Sequence, residues 1–259
     1  MTQNNDLVKW GKVDNPFETK FFPLSMEHHM DSQIDNVLNS YNYRCDEFKN
    51  NHTGLHILFS GCSVTYGEAL LKEEVWSKKL YNKISNDKEV SGYYNLAIRG
   101  FSTYEIVINV FKYINKFGKP DFIFLNIPTD SRFYSYDSSN KYFTYANLDT
   151  DSDNKDLYHT MPLLSFHYLL MLEMYCKSNN IKLNCFSWYS GVEYGKEDIE
   201  SFIKIKDDDL TELIFEYQKN NKDDKNALKA RDNKHQGTAF HDAWSKIMYN
   251  KYLEDIGVS

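Results

Sequence analysis

From residue 56 onward, short apolar runs alternate with longer stretches of helical periodicity. HILFSG (56–61), YYNLA (93–97), DFIFLNI (121–127) and IKLNCFSW (181–188) are compact and rich in Ile, Leu, Phe and Tyr, which predicts buried strands. DFIFLNI is apolar almost throughout, as a strand covered on both faces is. Between the runs, Ala69 to Ser85 reads as a helix whose buried face carries Trp76, Leu80 and Ile84 at i, i+4 spacing. Ser102 and Glu105 make a capping-box pattern ahead of the apolar face Ile106, Val107, Val110, Phe111 and Ile114. Residues 158–178 predict a long apolar helix, and Thr238 to Leu253 a last one. This alternation predicts an α/β fold, a parallel sheet with helices on both faces. Sites in such sheets lie beyond the carboxyl ends of the strands, where Gly61-Cys62-Ser63 falls.

Residues 1–50 show little periodicity and read as an arm packing on a main domain over 51–259. Two polar stretches interrupt the alternation. One, from Tyr134 to Asp156, mixes tyrosine with Ser, Asn and Asp, and its 134–146 portion reads as a half-buried loop. The other, Lys206 to Asp232, is charge-rich and holds a short helix.

The 259 residues are 41% hydrophobic and 26% charged, the proportions of a globular protein with one sizeable domain or two small ones. A net charge of −7 disfavours a nucleic-acid partner, since phosphate binding draws on clustered Lys and Arg. Cys45, Cys62, Cys176 and Cys185 include no CxxC pair, so free thiols are expected rather than a zinc or dithiol site. The amino terminus has no apolar core of a signal peptide, which makes a cytoplasmic location the expectation. MPLLSFHYLLMLEMY is broken by His167 and Glu173 and is too short and polar to span a bilayer.

Gly61 and Gly67 do not make a phosphate loop, because Glu68 stands where a lysine is needed, and the three glycines of a dinucleotide fingerprint are absent. A serine nucleophile needs a base, and the base needs a carboxylate to fix its tautomer. ARDNKHQG supplies both from one stretch, Asp232 and His235, just before the last helix. Gly100 follows the second strand, where the missing Cβ lets a backbone N–H approach a substrate oxygen.

In this order the three stretches resemble the SGNH (GDSL-type) hydrolases. GCSVTYG (61–67) is similar to the family's first block, NLAIRGFS (95–102) to its second and DNKH (232–235) to its last. YNYRCDEF (41–48) and Trp76 resemble a branch met in bacteriophage and bacterial genomes. The resemblance covers roughly residues 41–255 and implies a three-layer α/β/α sandwich around a five-stranded parallel sheet, a flavodoxin-like arrangement. It implies Ser63 as nucleophile, His235 as base, Asp232 as its partner, and an oxyanion hole at Ser63, Gly100 and the family's third-block asparagine. That block departs from the pattern: counting from Pro120 puts Asp130 at the asparagine position, with Thr129 or Asn126 able to donate only if the loop shifts.

The reaction so implied is hydrolysis of a small acyl or O-acetyl carbohydrate ester through an acyl-enzyme, without metal or cofactor. The alternatives are an O-acyltransferase, or a non-catalytic glycan-binding or virion-associated protein on the same fold. Cys62 is expected to be a small buried residue, His241 to pack in the last helix and Arg132 to tie the third-block loop to the sheet. His28-His29 is not expected to bind metal.

Overall fold

The computed structural model describes residues 37–129, 132–137, 142–147, 155–188 and 198–258, of which 132–137, 142–147 and 155–162 by their backbone. The elements, in chain order, begin with strand β1 (Ile57–Ser60), the one-turn helix α1 (Ser63–Tyr66) and a 3₁₀ turn (Lys72–Glu74). Helix α2 (Trp76–Asp87), strand β2 (Tyr94–Asn95), helix α3 (Thr103–Phe117) and strand β3 (Phe122–Ile127) follow. Next come strands β4 (Arg132–Asp137) and β5 (Tyr142–Asn147), helix α4 (Lys155–Ser178) and strand β6 (Lys182–Ser187). Helices α5 (Asp207–Asn220) and α6 (Thr238–Asp255) close the chain.

Four strands form a parallel sheet in the order β2-β1-β3-β6. The resemblance implied five. Among the described residues the fifth place holds a single parallel bridge, Phe202 to Cys185, flanked by the bonds Cys185 N–H to Ser201 O (2.8 Å) and Ile203 N–H to Cys185 O (2.7 Å). The two sheet faces follow from the period of two along each strand. Phe59, Phe124 and Phe186 turn to one face, where Phe59 meets Trp76 of α2 and Phe186 meets Trp244 of α6. On the other face His56 and Tyr94 lie against Tyr113 of α3, and α4 packs on α3.

Several boundaries differ from the sequence reading for local reasons. The helix expected from Ala69 begins at Trp76 instead. Ala69 has a φ of +58° and Val75 is extended, so the chain turns twice before the Trp76-Leu80-Ile84 face starts. Strand β2 is only two residues long. Beyond it Leu96 N–H still donates to the Phe59 carbonyl at 2.8 Å, while on the outer side the Asn95 side chain takes the N–H of Ala97 at 3.0 Å. The tyrosine-rich stretch is an antiparallel hairpin, β4 with β5, rather than a loop. The capping box of α3 forms as read: Ser102 N–H donates to Glu105 Oε2 at 2.8 Å, and Glu105 N–H to Ser102 Oγ at 3.4 Å.

Of the arm, residues 1–36, including His28 and His29, lie outside the described residues. The described part packs tightly. Tyr43 and Phe48 are buried, Phe48 among Tyr94, Tyr113 and Phe117. Arg44 is also buried, its guanidinium donating to the carbonyls of Gly67 (3.0 Å) and Leu70 (2.8 Å). All four cysteines are buried free thiols, Cys62 among them. Among the described residues no helix is long and apolar enough to cross a membrane.

Candidate active site

The site lies where β1 ends. Gly61 leaves the strand under Thr65 and beside β3; a Cβ there would sit 2.2 Å from Thr65 Oγ1 and 2.9 Å from the Asn126 carbonyl oxygen, so only glycine fits. The chain then enters α1 with Ser63 at its first position. The N–H of that residue is one a helix cannot bond internally. Tyr66 N–H closes the turn on the Cys62 carbonyl at 2.9 Å, and Gly67 and Glu68 both donate to the Ser63 carbonyl at 3.0 Å. Ser63 is 8% exposed, within a packed turn.

Facing it is the loop before α6. His235 Nε2 stands 3.0 Å from Ser63 Oγ, across 172 residues of chain. On the other side of the ring, His235 Nδ1 is 2.5 Å from Asp232 Oδ2. The second carboxylate oxygen accepts the N–H groups of Lys234 (2.9 Å) and His235 (3.0 Å). The Asp232 carboxyl is fully shielded, while the imidazole retains 29% exposure. Burial by itself would raise the carboxyl pKa. The His235 ring and the two backbone N–H groups outweigh it and hold Asp232 below the ordinary carboxylate value. An ionised Asp232 assigns the proton to Nδ1 and leaves the Nε2 lone pair to receive the Ser63 hydroxyl proton.

The second strand delivers Gly100 to the same end of the sheet. Ile98 N–H bonds to the Gly61 carbonyl at 3.4 Å, so the turn Ile98–Phe101 starts beside the turn that carries Ser63. Phe101 N–H closes that turn on the Ile98 carbonyl at 3.3 Å, with Gly100 third in it at a φ of +78°. That position of a type II turn demands positive φ, and among the described residues no atom beyond its chain neighbours lies within 4 Å of where a Cβ would be. Glycine is needed here for its backbone.

Sequence reasoning brought Ser63, Asp232, His235 and Gly100 to one end of the sheet. Asp130 lies outside the described residues, as does the side chain of Arg132. His241 is buried, as read, and its role is specific: Nδ1 accepts the N–H of Trp76 at 3.0 Å and caps α2, whose N-cap residue Val75 has no side-chain acceptor. Two ion pairs went unread. Glu68, 5% exposed, pairs with Arg99, whose guanidinium also lies 4.7 Å from the centre of the Tyr66 ring. Arg231 makes a two-pronged pair with Glu74. Each joins residues far apart in sequence, and only the adjacency of Arg99 to Gly100 and of Arg231 to Asp232 hinted at either.

No family model and no curated protein matches the chain. Among solved structures it is similar to the psychrotrophic esterase EstA from Pseudoalteromonas sp. (13% identity, TM-score 0.49, 78% of this chain and 98% of that one). It is also similar to TesA (12% identity, TM-score 0.46, 77% and 98%). A third is the acetyl xylan esterase Est2A from the rumen bacterium Butyrivibrio proteoclasticus (13% identity, TM-score 0.44, 79% of this chain and 65% of that one). Likenesses of this size carry no weight for substrate or mechanism, which rest on the geometry above.

Proposed function

We propose that this chain is an SGNH-type serine esterase. The observation that carries the reading is the unbroken series Ser63 Oγ, His235 Nε2, His235 Nδ1, Asp232 Oδ2, at 3.0 and 2.5 Å. In this mechanism Ser63 Oγ attacks the ester carbonyl as its proton passes to His235 Nε2. Asp232, kept ionised by its three donors, stabilises the imidazolium. The N–H groups of Ser63 and Gly100 receive the oxyanion. The imidazolium then protonates the leaving alcohol; water, deprotonated by His235, attacks the acyl carbon, and the bond to Ser63 Oγ breaks as His235 returns the proton to that oxygen. With a sugar hydroxyl in place of water the same steps make an O-acyltransferase. The substrate proposed is a small acyl ester or an O-acetylated carbohydrate.

The test is exposure to a fluorophosphonate followed by peptide mass spectrometry. The expected outcome is one adduct on the peptide carrying Ser63, absent in Ser63→Ala, with loss of hydrolysis of p-nitrophenyl acetate in that variant. A second reading, a non-catalytic glycan-binding protein on the same fold, is favoured by the carboxylate Asp130 at the position where the family has its third oxyanion donor. It predicts no adduct at Ser63.

A further inference from the structure

The hydrogen bonds inside the 230–235 loop set His235 against Asp232, but not against Ser63. Ala230 N–H donates to the His235 carbonyl (3.0 Å), Asn233 N–H to the Ala230 carbonyl (2.8 Å), and Lys234 and His235 N–H to Asp232. All of these close within the loop. Its link to the nucleophile segment is Arg231. The guanidinium donates to Glu74 Oε2 at 2.7 Å, to Glu74 Oε1 at 3.0 Å and to the Ala69 carbonyl at 3.4 Å, while the Arg231 N–H reaches the same carbonyl at 3.3 Å. Glu74 is itself fixed, since its Oε2 accepts the N–H of Leu71 at 2.7 Å. Glu68, next to Ala69, donates its N–H to the Ser63 carbonyl. The contacts therefore close a ring: Ser63, the 68–74 segment, Arg231, Asp232, His235, and back to Ser63 Oγ.

We propose that Glu74 and Arg231 are positioning residues that set the distance between His235 and Ser63, a role that rests on the hydrolase reading above. A two-pronged Arg–carboxylate pair fixes orientation as well as distance. With side chains only 15% and 24% exposed, this one is shielded from the screening that weakens surface pairs. Loss of the pair need not release α6, because His241 separately bonds α6 to the first residue of α2. The loop would then shift while the helices stay in place.

The experiment compares wild type with Arg231→Lys, Glu74→Gln and the double variant. Arg231→Lys keeps the charge but loses the fork. Measured are the second-order rate of fluorophosphonate labelling at Ser63, kcat and KM for p-nitrophenyl acetate, the melting temperature, and the downfield proton resonance of His235 Nδ1–H. A displacement of the order of 1 Å can cost about 10²-fold in rate, so labelling and kcat should fall about 10- to 100-fold, with KM changed less than about threefold. The downfield proton should persist, because Asp232 and His235 move together, and the double variant should be no slower than the slower single one. Labelling within about twofold of wild type in folded variants overturns the proposal. So does loss of the downfield proton along with the rate, which would mean that the pair holds the loop's own fold. If Glu74→Gln does not fold, Arg231→Lys decides by the same criteria. Wild type that fails to label sinks the hydrolase reading itself, whereas labelled wild type with unchanged variants sinks only the positioning role.

Discussion

In the proposed mechanism Asp232 acts through charge rather than contact with substrate. Its carboxylate holds the Nδ1 proton, and two backbone N–H groups hold the carboxylate. Asp232→Asn would keep the shape, but its amide can present an N–H to Nδ1 and favour the tautomer that turns a proton toward Ser63. Steady-state kinetics should then show kcat lowered by up to about 10⁴-fold with little change in KM. A loss under about tenfold would mean that Asp232 does not set the tautomer. These residues were legible in the sequence because each stands at a strand exit or helix entry beside small or turn-forming residues. Their partners Glu68, Glu74, Arg99 and Arg231 were not, since an ion pair between distant residues leaves no period or spacing behind. His241 was read as packing. That it accepts the Trp76 N–H follows only from the approach of α6 to α2.

At the scale of elements, β1, β2 and β3 were read from apolar runs, and α3 from its capping box. The hairpin of β4 and β5 was missed, although SRFYSYD and KYFTYAN carry the alternation of a half-buried strand pair. Their tyrosines and asparagines resembled a loop in composition. The start of α2 was misplaced because helical periodicity cannot reveal a residue such as Ala69 with φ of +58°. That same irregular stretch carries Glu68, whose buried carboxylate pairs with Arg99, the residue before Gly100. The pair ties the Ile98–Phe101 turn, proposed to carry the oxyanion donor Gly100, to the end of α1. Glu68→Gln removes the charge that fixes Arg99 and should loosen the turn. Because a lost oxyanion donor costs about 10²–10³-fold in kcat, a loosened one should cost about tenfold, with KM nearly constant. An unchanged kcat in a folded Glu68→Gln protein would show that Gly100 is held by its own turn and by the Ile98–Gly61 bond alone.

The whole molecule carries a pH dependence of stability that follows from two histidines buried as neutral rings. His56 is 3% exposed, between the Lys119 carbonyl (3.2 Å) and the Tyr113 hydroxyl (2.8 Å), and it stacks on His52 at 3.5 Å. Burial first, then the neighbouring His52, lowers its pKa to about 3. His241 is 1% exposed and is likewise lowered to about 3, by burial and then by the proximity of Lys79 and of the His235 ring. In the unfolded chain both titrate near 6.5. Between these values the unfolded state binds more protons than the folded one, so stability is complete above about pH 6.5 and falls as the pH drops toward 3. Each histidine then withdraws about 1.4 kcal/mol for each pH unit below its unfolded value. Asp232 and Asp224, both held below the ordinary carboxylate value, add losses of the same sign at lower pH. The described histidines thus predict a steep fall in melting temperature between pH 7 and 5, before carboxylates in general titrate. His56→Gln should flatten that slope even if it lowers the melting temperature at pH 7, since a neutral amide has no proton to bind. A melting temperature constant from pH 7.5 to 5 in wild type would show that these rings are protonated within the fold, and that the acceptor role of His241 toward the Trp76 N–H is wrong.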